Sequence, residues 1–293
     1  MQDEVTQQSL SVALRKALRE RNALPAFPSN VERLLELVQS DADMPKIAAE
    51  IEHDPAMATR ILKVANSAFY GLSRQVATLD LAVVLLGLRN VHNIVLGVGF
   101  AQMLQEHELE SPYPGPDFLE HSLRTGRIAR FLARCCREEH HGEEFVAGLI
   151  HDIGKLALLR AFPEEVVAGI DELVGPSLVG DLSKRPQGAD LVAVEQQLFG
   201  VDHAHVGGWA AVEWQLPAVI ATAIEDHHTP GVTSGLAALV AAADWTAHWL
   251  DSSSGAGATT FPEESLPAQL LQRCGQPAEC DVAQLRAACL GRD

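Results

Sequence analysis

Apolar residues recur at intervals of three and four positions along most of the chain, which is the spacing of one buried face of an α-helix. The stripe is clear around Leu10, Leu14 and Leu18, then Val31, Leu34, Leu35 and Val38, then Met57, Ile61, Leu62 and Ala65. No segment of useful length shows the strict apolar–polar alternation of a half-buried β-strand. The pattern therefore predicts an all-α fold of helices joined by short polar breaks.

Helix boundaries in this pattern are marked by capping residues, prolines and glycines. Asp43 and Asp54 each lie one or two positions before a proline, so each is expected to cap a helix whose first turn holds that proline. Ser29 is expected to cap the helix that follows it. Gly87 interrupts a long apolar run, and we expect one helix to end and the next to begin there.

The best internal boundary is the segment 111–116, Ser-Pro-Tyr-Pro-Gly-Pro, which holds three prolines. We expect residues 1–110 to form an N-terminal helical part and residues 111–251 to form a second helical half that carries the candidate chemistry. A Ser- and Gly-rich stretch after Asp251 predicts a flexible segment. The rest of residues 252–293 is expected to be a C-terminal helical cap.

Composition and charge narrow the range of partners. A chain of 293 residues with 47% hydrophobic and only 5% aromatic residues can bury a sizeable core, and it favours helices packed on helices. The formal net charge of -17 argues against nucleic acid and against an anionic membrane as partners. It leaves room for a small phosphate-bearing ligand, because a bound metal can reverse the local charge.

The sequence predicts a cytoplasmic protein. Its N-terminus is acidic and lacks the apolar region of a signal peptide. The most apolar run, Leu79 to Phe100, is interrupted by polar and charged residues and is too polar to span a bilayer. The five cysteines are an odd number without metal-type Cys-x-x-Cys spacing, so they indicate neither a secreted disulfide framework nor a zinc ribbon. Pairing of Cys274 with Cys280 stays a minor alternative.

The second half of the chain holds residue types that bind divalent metals. A short apolar run ends in the adjacent pair His151 and Asp152, whose carboxylate could bridge two ions. The other candidates are His121, His203 or His205, His227, His228 and Asp244, with Asp117 one helical turn before His121. Lys155 follows His151 by four positions and could stabilise charge on a transferred phosphoryl group.

Each of these residues also has an ordinary structural interpretation. A His-Asp pair can simply cap a helix, paired histidines can lie at the negative end of a helix dipole, and Asp244 and Lys155 can face solvent. Together, however, the residues describe a helical cage of imidazole and carboxylate ligands, which suits Fe, Mn, Zn or Ni better than Ca. His203 is preferred to His205 as a ligand because the two lie on different helix faces, and Gly207 allows another backbone to approach the His203 face.

Eight short segments, in order through both halves, carry a family resemblance. They are Leu24–Pro28, Ile51–Pro55, Leu62–Tyr70, Ala82–Leu88, Gly148–Lys155, His203–Gly207, Trp214–Pro217 and His227–His228. These segments resemble the signature stretches of the HDOD domain, a bacterial signalling relative of the HD metal phosphohydrolases. The resemblance implies an all-helical fold in which an N-terminal helical subdomain packs on an HD-like bundle.

The resemblance also bears on the candidate ligands. Many HDOD domains are thought to have lost their metal ligands and to act as output or scaffolding modules in signal transduction. Seven residues match, place by place, the metal-ligand pattern of the related HD-GYP cyclic-di-GMP phosphodiesterases, namely His121, His151, Asp152, His203, His227, His228 and Asp244. Asp117 lies at the place of an additional acidic ligand in some of those enzymes. The segment after His228 lacks the Gly-Tyr-Pro of those enzymes, which argues against cyclic-di-GMP as the substrate.

Three functions follow as hypotheses from the sequence. The first is a regulatory, output or scaffolding module with a dinuclear transition-metal site and a signalling protein or small phosphate-bearing ligand as partner. The second is a metal-dependent phosphohydrolase of a nucleotide or cyclic dinucleotide, in which Asp152 bridges two ions and Lys155 assists attack on phosphorus. The third is an iron-based sensor of oxygen or redox state. The sequence does not fix the oligomeric state.

Overall fold

The computed structural model describes residues 2–24, 26–40, 42–66, 75–106, 115–138, 140–174, 189–232, 234–251, 260–275 and 282–289. Within these ranges the chain forms fifteen α-helices and no β-strand. The all-α prediction is therefore confirmed.

The N-terminal part consists of five helices. These are α1 (Gln2–Glu20), α2 (Ser29–Gln39), α3 (Met44–Glu52), α4 (Pro55–Ala65) and α5 (Leu79–Glu106). The apolar stripes of α2, α3 and α4 pack against α5, and Val31, Ile47, Ile51 and Ile61 are fully buried there. The expected break in α5 is present, because Gly87 has φ 73° and ψ 161° and divides the element into two helical stretches.

The predicted caps were partly correct. The Asp43 carboxylate accepts a hydrogen bond from the Lys46 amide, and the Asp54 carboxylate accepts hydrogen bonds from the amides of Ala56 and Met57. Ser29 was wrongly assigned as a cap, because it is already the first residue of α2 and Pro28 occupies the capping position. Pro28 has an extended backbone that leads into the helix without a side-chain hydrogen bond.

The second half forms a bundle around the candidate ligands. Its helices are α6 (Gly115–Cys136), α7 (Glu143–Ile150), α8 (Ile153–Ala161), α9 (Pro163–Val174), α10 (Ala189–Phe199), α11 (His203–Glu213), α12 (Ala218–Asp226) and α13 (Gly235–Asp251). Helix α6 packs on α7 and α13, and α11 packs on α8 and α12. Two short helices, α14 (Leu266–Arg273) and α15 (Val282–Cys289), close the bundle against α13 and α6.

The two halves share one hydrophobic core. A continuous cluster of buried apolar side chains extends from Phe27 in the first half to Leu285 in α15. A second cluster joins α1 to α8, α9, α10 and α11 through Leu18, Leu158 and Val206. The predicted boundaries at residues 110 and 251 stay predictions, and most of the segment proposed to be flexible, 252–259, lies outside the described residues.

One stretch in the described part of the chain, Leu79–Leu104 of α5, is long and apolar enough to cross a membrane by length and composition alone. Half of its most apolar window is buried inside the fold, and Gly87 breaks the helix within it. Packing against α2, α3 and α4 buries part of its apolar surface, whereas Leu81, Val84 and Leu85 are exposed.

Helices α8 and α11 approach each other closely at a glycine. A Cβ added at Gly154 would lie 1.9 Å from the carbonyl oxygen of His203 and 2.7 Å from the amide nitrogen of Gly207. This approach places the His151–Asp152 turn beside the first residue of α11. The close backbone contact expected at Gly207 is present, because its own added Cβ would lie 3.5 Å from the His151 carbonyl oxygen.

Replacing this glycine tests the close approach. Gly154→Ala forces backbone atoms apart, so we expect it to lower the free energy of unfolding by about 3 kcal/mol in urea denaturation. Gly97→Ala is the matched control, because its Cβ would meet nothing nearer than 3.5 Å and a helical glycine gains about 0.5–1 kcal/mol on becoming alanine. Equal unfolding midpoints for the two variants would contradict the packing described here.

Candidate metal centre

The centre is built around the turn between α7 and α8. His151 follows the last residue of α7, and Asp152 occupies the N-cap position of α8 without making a side-chain capping hydrogen bond. Both side chains are almost completely buried. The ordinary interpretation of Asp152 as a capping residue therefore fails, and its carboxylate faces the interior of the bundle instead.

Four further helix segments bring the other candidates to this turn. His121 lies on α6, His203 begins α11, His227 and His228 follow α12, and Asp244 lies on α13. Asp244 is only 6% exposed, so the interpretation of a solvent-facing carboxylate is wrong. Asp117 lies in α6, but its side chain is outside the described residues, and its role as an additional ligand stays a prediction.

Nitrogen and oxygen atoms of these side chains converge within hydrogen-bond distances of one another. Oδ1 of Asp152 lies 3.3 Å from Nε2 of both His151 and His203. Nε2 of His121 lies 3.2 Å from Oδ1 of Asp244 and 3.4 Å from Nε2 of His151. These contacts bring the adjacent pair, two more imidazoles and a second carboxylate into one polar cluster.

A second part of the cluster extends from His203. Its Nε2 atom lies 3.1 Å from Nε2 of His228, and the centroids of the His227 and His228 rings lie 4.1 Å apart with the ring planes tilted by 43°. His203, His227 and His228 form one group whose ligand atoms all lie within 4.8 Å of each other. His121, His151 and Asp152 form another such group, and His121, Asp244 and His248 form a third.

In His151 and His227, a hydrogen bond at Nδ1, on the far side of the ring, directs Nε2 into the cluster. Nδ1 of His151 donates to the Gly148 carbonyl oxygen at 2.8 Å, and Nδ1 of His227 donates to the Ile224 carbonyl oxygen at 2.6 Å. In a neutral imidazole the other nitrogen then carries a lone pair. Nε2 of His227 has no hydrogen-bond partner among the described residues. Oδ1 of Asp152 and Oδ1 of Asp244 accept no well-aligned hydrogen bond there, although imidazole Nε2 atoms lie 3.2–3.4 Å away.

This arrangement fits divalent metal ions. Acceptor atoms that face one another in a buried site repel unless a cation lies between them, and unpartnered buried polar atoms are costly. Imidazole nitrogen and carboxylate oxygen together suit Mn, Fe, Ni or Zn. Oδ1 of Asp152 lies 3.3 Å from Nε2 of both His151 and His203, and Oδ2 lies 3.5 Å from Nε2 of His121, so this carboxylate lies between imidazoles of two of the groups.

Among the described residues, Lys155 supplies the ammonium group that contacts the cluster. Its Nζ lies 2.6 Å from Oδ2 of Asp152, and the residue is 8% exposed, so the interpretation of an exposed lysine is wrong. Burial alone would lower the pKa of Lys155, but the carboxylates of Asp152 and Asp244 raise it above its ordinary value. The group therefore keeps its positive charge inside the bundle.

Two residues that belong to the site were not singled out from the sequence. The Nε2 atom of His248 lies 3.2 Å from Oδ1 of Asp244, and Asp244 precedes His248 by one helical turn on α13. Glu195 on α10 is buried, and its Oε2 accepts hydrogen bonds from Nδ1 and the backbone amide of His203 at 2.6 and 2.8 Å. The spacing of His248 from Asp244 was visible in the sequence, whereas nothing in the sequence joins Glu195 to His203.

The preference for His203 over His205 agrees with the geometry. His205 is turned away from the cluster, and its Nδ1 lies 2.8 Å from Oδ1 of Asp202, the residue that caps α11. This hydrogen bond raises the pKa of His205 and, against the effect of burial, lowers the pKa of Asp202. The pair stabilises the start of α11 and leaves His203 to face the cluster.

Charges inside the cluster set distinct protonation states. Burial and the neighbouring histidines lower the pKa of His227 well below its ordinary value, and burial lowers the pKa of His228 to about 4. Burial alone would lower the pKa of His203 as well, but the adjacent Glu195 carboxylate raises it to about 9. Without metal, the His203 ring is therefore a doubly protonated imidazolium at neutral pH. Metal binding at this residue has to displace one of the two ring protons.

This proton predicts a pH dependence of metal binding. Since His203 is protonated below its raised pKa, apparent Mn²⁺ affinity should increase as pH rises from 6 toward about 9 and then level off. Glu195→Gln removes the carboxylate that holds the proton on His203, so the rise in affinity should shift to lower pH. At high pH the variant should bind Mn²⁺ about tenfold to hundredfold more weakly than wild type, as expected for a residue that supports a metal ligand. Isothermal titration calorimetry measures both effects.

The control for this titration is Glu165→Gln, which changes an exposed carboxylate on α9. It should reproduce the wild-type pH profile. An unshifted profile for Glu195→Gln would show that Glu195 does not govern the His203 proton.

Comparison with known proteins gives the following similarities. The family model of the HDOD domain matches residues 24–230. A curated protein of Treponema pallidum (strain Nichols), named "Uncharacterized protein", is 26% identical over 254 residues, which are 85% of this chain and 45% of that protein. The chain thus spans less than half the length of this relative.

Three solved structures share the fold over nearly the whole chain. The "Putative metal-dependent phosphohydrolase" from Shewanella amazonensis SB2B has a TM-score of 0.66 at 20% identity and covers 99% of this chain and 100% of its own. The "Putative phosphohydrolase" from the same organism has a TM-score of 0.63 at 25% identity, and the match covers 94% of this chain and 92% of that one. An HDOD domain protein of unknown function from Geobacter sulfurreducens has a TM-score of 0.60 at 21% identity, and the match covers 94% of this chain and 96% of that one.

Proposed function

Because this chain belongs to the HDOD domain family, we propose that it is a signal-transduction module whose helical bundle binds divalent transition-metal ions. One observation carries the metal-binding part of the proposal: imidazole and carboxylate acceptor atoms from five helix segments converge in a buried cluster. The signalling part rests on family membership. Its partner would be a signalling protein or a small phosphate-bearing ligand.

The expected effect of metal is to join segments that are far apart in sequence. His121, His151 and Asp152, the His227–His228 pair and Asp244 belong to α6, the α7–α8 turn, the end of α12, and α13. An ion that binds only the folded arrangement stabilises it by mass action. The bundle would thus be more rigid with metal than without it, which is a usable property for a module that presents a surface to a partner.

Thermal unfolding tests the metal-binding proposal. Saturating Mn²⁺ should raise the Tm of the chelator-treated full chain by about 5–10 °C, as expected for a ligand at about a hundred times its Kd. Asp152→Asn should abolish most of this rise, since it removes the negative charge of a carboxylate that lies 3.3 Å from both His151 and His203. Asp80→Asn, an exposed change at the start of α5, is the matched control. A wild-type Tm that responds to neither chelator nor Mn²⁺, Fe²⁺, Ni²⁺ or Zn²⁺ would refute the proposal.

A second candidate function is phosphoester hydrolysis. The observation that favours it is the buried Lys155 ammonium beside Asp152 in the cluster. The side chains of His151, His203 and Asp152 are at most 3% exposed, whereas those of His121 and His248 are 18% and 24% exposed, so the cluster reaches solvent on their side. The phosphohydrolase name of the Shewanella relative at 25% identity agrees with this candidate.

In this function the bound ions would supply Lewis acidity and an activated water. The Lys155 ammonium would stabilise charge that develops on phosphoryl oxygens, and the Asp152 carboxylate would hold that ammonium in place through their 2.6 Å contact. Glu195 would fix the orientation of the His203 ring through Nδ1. The absence of Gly-Tyr-Pro after His228 favours a substrate other than cyclic-di-GMP.

Hydrolysis of bis(p-nitrophenyl) phosphate by the Mn²⁺-loaded protein tests this second candidate, followed by a panel of nucleotides and cyclic dinucleotides. Lys155→Gln should lower kcat about a hundredfold while metal content stays unchanged, because the lost group acts on the transition state. Lys63→Gln, on the exposed side of α4, should have no effect. Loaded wild-type protein without hydrolysis above background would exclude this candidate and leave the regulatory module.

A further inference from the structure

His248 is a histidine of the cluster that does not belong to the seven residues matching the HD-GYP ligand pattern. It lies one helical turn after Asp244 on α13, so the two side chains share a helix face. Helix α13 packs on α6, and this packing brings His121 beside both of them. The three residues offer ligand atoms that all lie within 4.8 Å of one another.

The spacing of these atoms fits ligands of a single ion. Oδ1 of Asp244 lies 3.2 Å from Nε2 of His121 and 3.2 Å from Nε2 of His248. Two atoms that each bind one ion at about 2.1 Å lie about 3.0–3.4 Å apart in octahedral or tetrahedral coordination. The His121 and His248 rings are nearly parallel, with centroids 4.6 Å apart and planes 21° from each other. Both rings therefore approach the same carboxylate oxygen from neighbouring helices.

Hydrogen bonding does not account for the contact between His248 and Asp244. Nε2 of His248 and Oδ1 of Asp244 are both buried, and neither makes a well-aligned hydrogen bond among the described residues. Two ligands of one cation direct their lone pairs at the cation rather than at each other, which produces a short contact with poor alignment. Because buried polar atoms without partners are costly, an ion between them would remove that cost.

We propose that His248 is a metal ligand and that, with His121 and Asp244, it forms a position for Fe²⁺ or Mn²⁺ on the solvent side of the cluster. This inference rests on the metal-binding function proposed above. Two imidazoles and one carboxylate are the donor set of non-haem Fe(II) sites that keep coordination positions open. The side chains of His121 and His248 are 18% and 24% exposed, so a water or a phosphate oxygen can approach an ion here from solvent.

This position does not compete for ligands with the three-histidine group. His203, His227 and His228 share no residue with it, so one ion can occupy each group. The group at the α7–α8 turn does share His121 with it. Since Nε2 of His121 binds one ion at a time, the proposal assigns that nitrogen to the ion held by His248.

Metal counting tests the role of His248. After equilibrium dialysis of the chelator-treated full chain against Mn²⁺, elemental mass spectrometry should find about two ions in wild type and about one in His248→Phe. The variant keeps a ring against His121 but has no ligand atom. His140→Phe is the matched control, because His140 is 17% exposed and lies 2.8 Å from a carboxylate, that of Glu138, outside the cluster. It should keep about two ions.

Two outcomes of this count contradict the inference in different ways. Equal Mn²⁺ content and affinity in metal-bound wild type and His248→Phe overturn the role of His248 and leave the metal-binding proposal intact. A wild type that binds no metal overturns both.

A spectroscopic variant detects the ligand bond itself. A thiolate bound to Co²⁺ gives a strong charge-transfer absorption in the near ultraviolet, which imidazole does not give. Co²⁺-loaded His248→Cys should therefore gain a band that wild type and His140→Cys lack. Loss of fold stability alone would not produce this band, so the readout separates a ligand from a merely structural residue. A folded, Co²⁺-loaded His248→Cys protein without the new band overturns the proposal.

Discussion

The central constraint in this fold is a buried cluster of hydrogen-bond acceptor atoms that the neighbouring donor groups do not satisfy. Imidazole nitrogens and carboxylate oxygens lie 3.1–3.5 Å apart around Asp152, and Lys155 contributes the one ammonium that directly contacts it among the described residues. Repulsion among such atoms in a low-dielectric interior would work against folding unless cations offset it. In the metal-free protein a proton on His203 and the Lys155 ammonium partly fill that role.

Helix ends rather than helix surfaces supply most of the cluster. His151 and Asp152 form a two-residue turn, His203 begins a helix, and His227 ends one. Such positions hold side chains in fixed directions because the adjoining helices are packed on both sides. The contact between Gly154 and the His203 backbone brings two of these ends together, so a single small residue determines how closely the cluster can assemble.

Much of this arrangement could be predicted from local sequence. Helical periodicity, the Asp43 and Asp54 caps and the break at Gly87 each depend on residues within a few positions. Five of the seven main ligand candidates fall on or beside predicted helix ends, and His121 and Asp244 fall inside predicted helices. Their ligand roles stay predictions. The support of His203 by Glu195 could not be predicted, because it depends on which distant helices pack together. The burial of Lys155 is likewise a tertiary property.

Metal stoichiometry tests the central claim most directly. The measurement is elemental mass spectrometry of the full chain purified without chelator, alongside Asp244→Asn. We expect about two transition-metal ions per wild-type chain, as in dinuclear hydrolase-type sites, and a clear loss in the variant. A wild-type protein that is metal-free and takes up no Mn, Fe, Ni or Zn on reconstitution would contradict it.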